Sequence, residues 1–189
     1  GGTLTEEKLE KALSNLGITA ERMGRYTDTM RDLGAIEETE VHRREVELPD
    51  FLQHMADSLS ILFQNTEVRF SCGLHVPAGR AVLDGELLYR VLENLISNAL
   101  RFAEREIGLT FCLEHGILSA TVTDDGPGFS DKLLQKKTAL FYSEDTSGKH
   151  LGLGLAVSRV LCQKHGGTIE LSNRLSHGAC VKASITIKQ

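Results

Sequence analysis

The sequence predicts an α+β fold: a two-layer α/β sandwich in which helices cover one face of a mixed, mainly antiparallel sheet, preceded by a long N-terminal helix. Three observations carry this expectation. Apolar residues alternate in several short stretches, as half-buried strands require, and recur every three or four residues in others, as helix faces do. Strands and helices come in mixed order, without the strict alternation of a doubly wound parallel sheet. The opening segment has a seven-residue repeat that the remainder lacks.

That repeat is carried by Leu9, Leu16, Met23 and Met30, interleaved with Ala12, Thr19, Tyr26 and Leu33. Charged residues such as Glu10, Lys11, Glu21 and Arg25 fall largely between the seam positions, so the segment reads as an amphipathic helix seeking partner helices. Gly17 and Gly24 weaken it, each by about 1 kcal/mol relative to Ala. A helix packed on its own domain is the alternative. A charged stretch over 37–47 then changes the pattern and sets a boundary near residue 41, dividing the chain into 1–40 and 41–189.

Residues 45–48 alternate as a strand, and Pro49 and Asp50 open a helix with Phe51, Leu52, Met55, Leu59, Leu62 and Phe63 on one side. Strands are expected over 68–72 and 81–84, a helix over 85–104, and strands over 107–113 and 117–123 joined at Glu114, His115 and Gly116. The polar segment 130–148 has little periodicity and reads as a loop, with or without a short helix. A helix over 155–164 ends at Gly166 and Gly167 as a left-handed cap would, and strands over 168–172 and 179–187 follow.

At 189 residues the chain can bury one core and carry an extension, and 41% hydrophobic with 25% charged residues is a soluble composition. A net charge of −5 argues against a broad nucleic-acid footprint. No apolar run approaches the ~18 residues of a membrane span, and no signal peptide opens the sequence. Cys72, Cys112, Cys162 and Cys180 form no C-x-x-C pair and read as buried, reduced thiols of a cytoplasmic protein.

Three stretches ask for more than packing. On the 85–104 helix, Asn94 and Asn98 are four apart and share a face, where neutral carboxamides can hold Mg²⁺ against nucleotide phosphates without neutralising it. Arg101, a turn on, can reach a phosphate. Two asparagines bonded to nearby backbone are the plain alternative. After the 117–123 strand comes Asp124-Asp125-Gly126-Pro127-Gly128-Phe129, whose glycines let backbone approach a flat ligand while Asp124 accepts from an exocyclic amine such as adenine's. A simple Asp-Gly turn has the same pattern. Finally, Lys149, His150, Leu151, Gly152, Leu153 and Gly154 lead into a helix whose free N–H groups favour an anion, a pattern that a close strand–helix crossing also produces.

Taken in order, these stretches resemble the N, G1 and G2 boxes of the GHKL (Bergerat-fold) ATPases over roughly 41–189, and among them the sensor histidine kinases of two-component systems. The resemblance implies ATP and Mg²⁺ as ligands. Asn98 would ligate the metal and Asn94 would support metal and phosphates, the pair forming the catalytic set. Arg101 and Phe102 would flank the nucleotide. Asp124 would read adenine, with Gly126, Gly128 and Phe129 shaping the loop beneath it. Phe141 fits the F box, the segment between would be an ATP lid, and Lys149, His150, Leu151, Gly152, Leu153 and Gly154 would face the phosphates.

ATP-hydrolysing relatives hold a water-activating glutamate where this chain has Asn94, and Glu93 lies about 100° around the helix. The γ-phosphate is thereby kept for another nucleophile, such as a neutral imidazole. Residues 1–40 resemble the second helix of the dimerisation and phosphotransfer region. None of His42, His54, His75, His115, His150, His165 or His177 is followed by the acidic residue and later proline of a phosphoacceptor box, so the acceptor that the resemblance implies is expected on an upstream helix, or else the parent protein lacks one; most of these histidines read as surface or loop residues. The implied partners are that histidine, a response regulator and a second copy in the full-length dimer. The implied parent is membrane-anchored, with this portion cytoplasmic and unable to phosphorylate itself.

Two departures stand out: the second glycine box lacks an extra glycine or threonine before Leu151, and Ala179 follows Gly178 where a threonine is common. The altered second glycine box motivates a competing expectation, a degenerate nucleotide-binding scaffold that regulates a partner; a serine kinase or ATPase of the same superfamily is a third, disfavoured by the helix that leads into the domain.

Overall fold

The computed structural model describes residues 16, 17, 19, 40–135 and 153–188. Leu16, Gly17 and Thr19 are helical; the rest of the expected N-terminal helix, and Phe141, Lys149, His150, Leu151 and Gly152, lie outside the described residues.

Strand β1 (Arg44–Glu47) enters helix α1 (Leu48–Ser60), where Pro49 in the first turn suits a position whose N–H has no intrahelical partner. A 3₁₀ turn (Ile61–Phe63) leads to β2 (Arg69–His75), β3 (Arg80–Leu83) and α2 (Gly85–Leu100). Then come β4 (Glu106–Glu114), β5 (Ile117–Asp124), a short α3 (Asp131–Gln135), α4 (Leu153–Lys164), β6 (Thr168–Asn173) and β7 (Ala179–Thr186).

Five strands form one sheet in the order β2-β4-β5-β7-β6, and β1 pairs with β3 in a separate two-stranded ribbon. Only β2 and β4 run parallel; the other pairs are antiparallel. Register explains the layering. Leu109, Val122, Val181 and Leu171 are cross-strand neighbours, as are Phe111, Ala120, Ala183 and Ile169, so one face is apolar throughout. This face and the buried stripes of α1, α2 and α4 form a single core that includes Leu52, Leu59, Leu92, Ile96, Phe111 and Leu161. Truncating a fully buried phenylalanine such as Phe111 costs about 3–5 kcal/mol. The opposite face carries Gly108, Thr110, Thr121, Thr123 and Lys182. The expected two-layer α+β architecture is thus observed.

Helix α2 carries the first motif, and its start is fixed by a polar knot. Asp84 is the N-cap: Oδ1 accepts from the N–H groups of Glu86 and Leu87, both at 3.1 Å, and Oδ2 accepts from His42 N–H at 2.7 Å. The Asp84 N–H in turn donates to His165 Nε2 at 3.3 Å. His165 is only 1% exposed, which corrects its expected place among surface or loop residues: it closes α4 against the start of α2. The cysteine expectation also needs correcting, since only Cys162 is buried while Cys72, Cys112 and Cys180 are partly exposed.

The helix expected over 85–104 stops at Leu100. The side chain of Asp125 captures the N–H groups of Glu104, Arg105 and Glu106 at 2.9–3.2 Å and turns the chain into β4 instead. Gly166 ends α4 with φ +71°, the left-handed cap anticipated from the sequence.

Candidate functional site

Asn94 and Asn98 sit one turn apart on α2, half-buried at the margin of the stripe formed by Val91, Leu95 and Ile96. Neither carboxamide makes a hydrogen bond among the described residues, so they do not serve the neighbouring backbone. Side-chain amides left open in this way are available to a ligand. A Cβ built on Gly154 would lie 3.9 Å from the Asn94 side chain, so the start of α4 runs directly against this face of α2. The first motif and the described end of the third are therefore in contact. Just beyond α2, the Arg101 guanidinium lies 5.0 Å from the centre of the Phe102 ring, and both side chains are exposed.

Asp124 ends β5 and is 5% exposed. Its Oδ1 accepts from the N–H of Gly126 at 2.9 Å and from that of Ala179 at 3.1 Å, whereas Oδ2 makes no hydrogen bond among the described residues. One oxygen is fixed by backbone and the other is left to accept. The Ala179 contact comes from the main chain, so alanine in place of a threonine leaves this bond intact.

The loop after Asp124 is held from several sides. A Cβ on Gly126 would strike the Phe102 carbonyl, so only glycine lets this loop lie against the end of α2. Asn173 Oδ1 accepts from Phe129 N–H at 2.7 Å, and its Nδ2 donates to the Phe129 carbonyl at 2.8 Å. Arg174 Nη1 donates to the Asp124 carbonyl at 3.1 Å and lies 3.6 Å from Glu106. Asp125 holds the α2–β4 connection as described. Burial works to raise its pKa, but the N–H groups of Arg105, Glu106 and Glu104 outweigh that and hold it below the ordinary carboxylate value.

Sequence reasoning placed Asn94, Asn98, Arg101, Phe102, Asp124, Gly126, Gly128, Phe129 and Gly154 at the site. The structure brings Asn94 to Gly154 and Gly126 to Phe102, joining α2 to both glycine segments. Reasoning from sequence missed Asp125, Asn173 and Arg174. The Asp124-Asp125 doublet was a usable signal for the first. Asn173 bonds to a residue 44 positions away and had none.

No group of three or more His, Cys, Asp or Glu side chains that could hold a metal occurs among the described residues. A cation here would rest on the Asn98 amide oxygen, completing its shell with phosphate oxygens and water, a donor set that fits Mg²⁺. A cavity of about 620 Å³ lies elsewhere, between β1, α1 and the start of α2, lined by residues including Arg44, Phe51, Met55 and Tyr89. It shares no residue with the Asn94–Asp124 set, which is marked by its open acceptors.

The family described as histidine kinase-, DNA gyrase B-, and HSP90-like ATPase matches residues 83–189. The aerobic respiration control sensor protein ArcB of Escherichia coli (strain K12) is 29% identical over 192 residues, covering 96% of this chain and 25% of the relative. The sensor protein RstB of the same strain is 30% identical over 178 residues, covering 92% of this chain and 39% of the relative. The chain thus spans well under half of either. Among solved structures, full-length ShkA in complex with AMPPNP aligns over 100% of this chain and 40% of its own, with TM-score 0.72 and 20% identity, a likeness of fold.

Proposed function

Because the chain belongs to the histidine kinase-, DNA gyrase B- and HSP90-like ATPases, with sensor proteins among its relatives, we propose that it binds Mg-ATP for transfer to histidine. The base would lie against Asp124 and the phosphates between Asn94, Asn98 and the start of α4. The γ-phosphoryl group would pass to a histidine supplied by another segment, for relay to a response regulator in a homodimeric, membrane-anchored parent.

The observation that carries this reading is Asn94. A carboxamide at this position cannot take a proton from water, so the side chain orients without activating hydrolysis. An incoming neutral imidazole needs no such base, since its ring nitrogen already offers a lone pair. Bound Mg²⁺ would neutralise charge on the phosphates. The chain's own residues do the remainder: Asp124 accepts from the adenine amine through Oδ2, Asn94 and Asn98 orient, and the α4 N-terminus presents N–H groups to anionic oxygen.

The test uses the full-length dimer with radiolabelled ATP. Acid-labile, base-stable label on protein, lost with Asn98→Ala, is the expected result. Acid-stable label would point to serine transfer instead, and release of free phosphate as the main product would point to an ATPase. Undiminished transfer by Asn98→Ala would remove the metal assignment.

A further inference from the structure

We propose that Asn173 is a positioning residue for base recognition, and that with Arg174 it makes the β6–β7 hairpin a brace for the loop that reads the base. The inference rests on Asp124 being the base-reading carboxylate.

The loop from Asp124 to Phe129 is gripped at both ends by this one hairpin. At the Asp124 end, Arg174 Nη1 donates to the Asp124 carbonyl at 3.1 Å and Ala179 N–H donates to Oδ1 at 3.1 Å. The Gly178 backbone is pressed so close to the Asp124 carbonyl that a Cβ would not fit. At the Phe129 end, Asn173 bonds both the N–H and the carbonyl of one residue, at 2.7 and 2.8 Å. Asparagine suits this task because a carboxamide at that reach both accepts and donates; an aspartate would set its second oxygen against the Phe129 carbonyl. Gly128 with φ +77° completes the clasp, since a Cβ there would meet Asn173 Oδ1 at 2.8 Å.

Neither Asn173 nor Arg174 hydrogen-bonds to α2 among the described residues, so the brace acts on the base side and leaves Asn94 and Asn98 untouched. Its consequence is selective. Fixing the loop fixes Asp124 Oδ2, which welcomes the adenine amine and repels the carbonyl oxygen that guanine places there. Loosening the loop should cost affinity for ATP and discrimination against GTP, while Mg-tripolyphosphate, which has no base, should bind as before.

The experiment is calorimetric titration of the full chain with Mg-ATP, Mg-GTP and Mg-tripolyphosphate, for wild type, Asn173→Asp and Arg174→Met, with thermal unfolding recorded for each. For Asn173→Asp we expect ATP affinity to fall about tenfold, the ATP:GTP ratio to narrow by a similar factor, and tripolyphosphate binding to stay within a factor of two. Arg174→Met should show the same pattern at smaller amplitude, and it decides the matter if Asn173→Asp does not fold. Unchanged ATP affinity, or equal losses for all three ligands, would overturn the proposal. If wild type itself prefers ATP no more than GTP, and Asp124→Asn leaves ATP binding intact, it is the assignment of Asp124 that fails.

Discussion

Asp124 shows how much one side chain can do once its surroundings are fixed. With Oδ1 committed to the N–H groups of Gly126 and Ala179, substitution by asparagine can keep those two bonds only by turning its NH₂ toward the place proposed for the base. Donor would then face donor. Asp124→Asn should therefore fold normally and lose Mg-ATP affinity by about 10- to 100-fold, the worth of one hydrogen bond to a charged acceptor. Titration calorimetry beside thermal unfolding checks both halves, and retained affinity would remove Asp124 from base recognition. Gly126→Ala is the complementary case: the new methyl meets the Phe102 carbonyl, which is backbone and cannot swing aside. A loss of about 1–3 kcal/mol in denaturant-unfolding free energy is expected, with weaker nucleotide binding. Motif spacing made Asp124 and Gly126 legible beforehand because their chemistry is local. Asn173 was not, because a carboxamide's partner cannot be read from its own neighbourhood when the contact closes only in the folded sheet.

At the level of elements, α2 and α4 are tied through Asp84 and His165. His165 Nδ1 lies 3.4 Å from the Leu161 carbonyl and Nε2 accepts from Asp84 N–H, an arrangement that requires the neutral, Nδ1-protonated ring. Burial is the main force lowering its pKa; the Leu161 carbonyl and the Asp84 carboxylate push it up, and Arg43 pushes it down, the net result lying below the ordinary value. The unfolded chain therefore binds this proton more readily than the folded one. Stability from neutral His165 is complete above the unfolded pKa of about 6.5, and is lost as pH falls from there through the lower folded value. The unfolding temperature of wild type should consequently drop more between about pH 7.5 and 5.5 than that of His165→Gln, whose amide can still accept from Asp84. Parallel curves would contradict the tie. Periodicity announced both helices, yet nothing in it distinguished His165 from the exposed histidines, because its burial comes from packing against a segment 81 residues earlier.

For the whole molecule, alternation was enough to indicate strands with one buried face, but not their order. The parallel β2–β4 pair joins strands separated by β3 and α2, and apolar alternation carries no signature of which strand lies beside which. The order matters because it places Asp124 at the end of the central strand, within reach of the β6–β7 hairpin. It also leaves Cys162 on the buried side of α4. This thiol is fully buried, and burial pushes its pKa up to about 12, against a smaller opposing effect of backbone at Ser184. In the native protein, Cys72, Cys112 and Cys180 should accept a thiol reagent while Cys162 reacts only when the core opens. Because α4 begins at the proposed nucleotide site and carries Cys162 on its buried side, opening that exposes the thiol should also release the ligand. Saturating Mg-ATP at about 100 times its dissociation constant should then slow Cys162 labelling roughly 100-fold, and leave the partly exposed cysteines unchanged. Mass-resolved labelling kinetics read this directly. Equal rates with and without nucleotide would mean that α4 detaches without disturbing the site, and that core and site are not one cooperative unit.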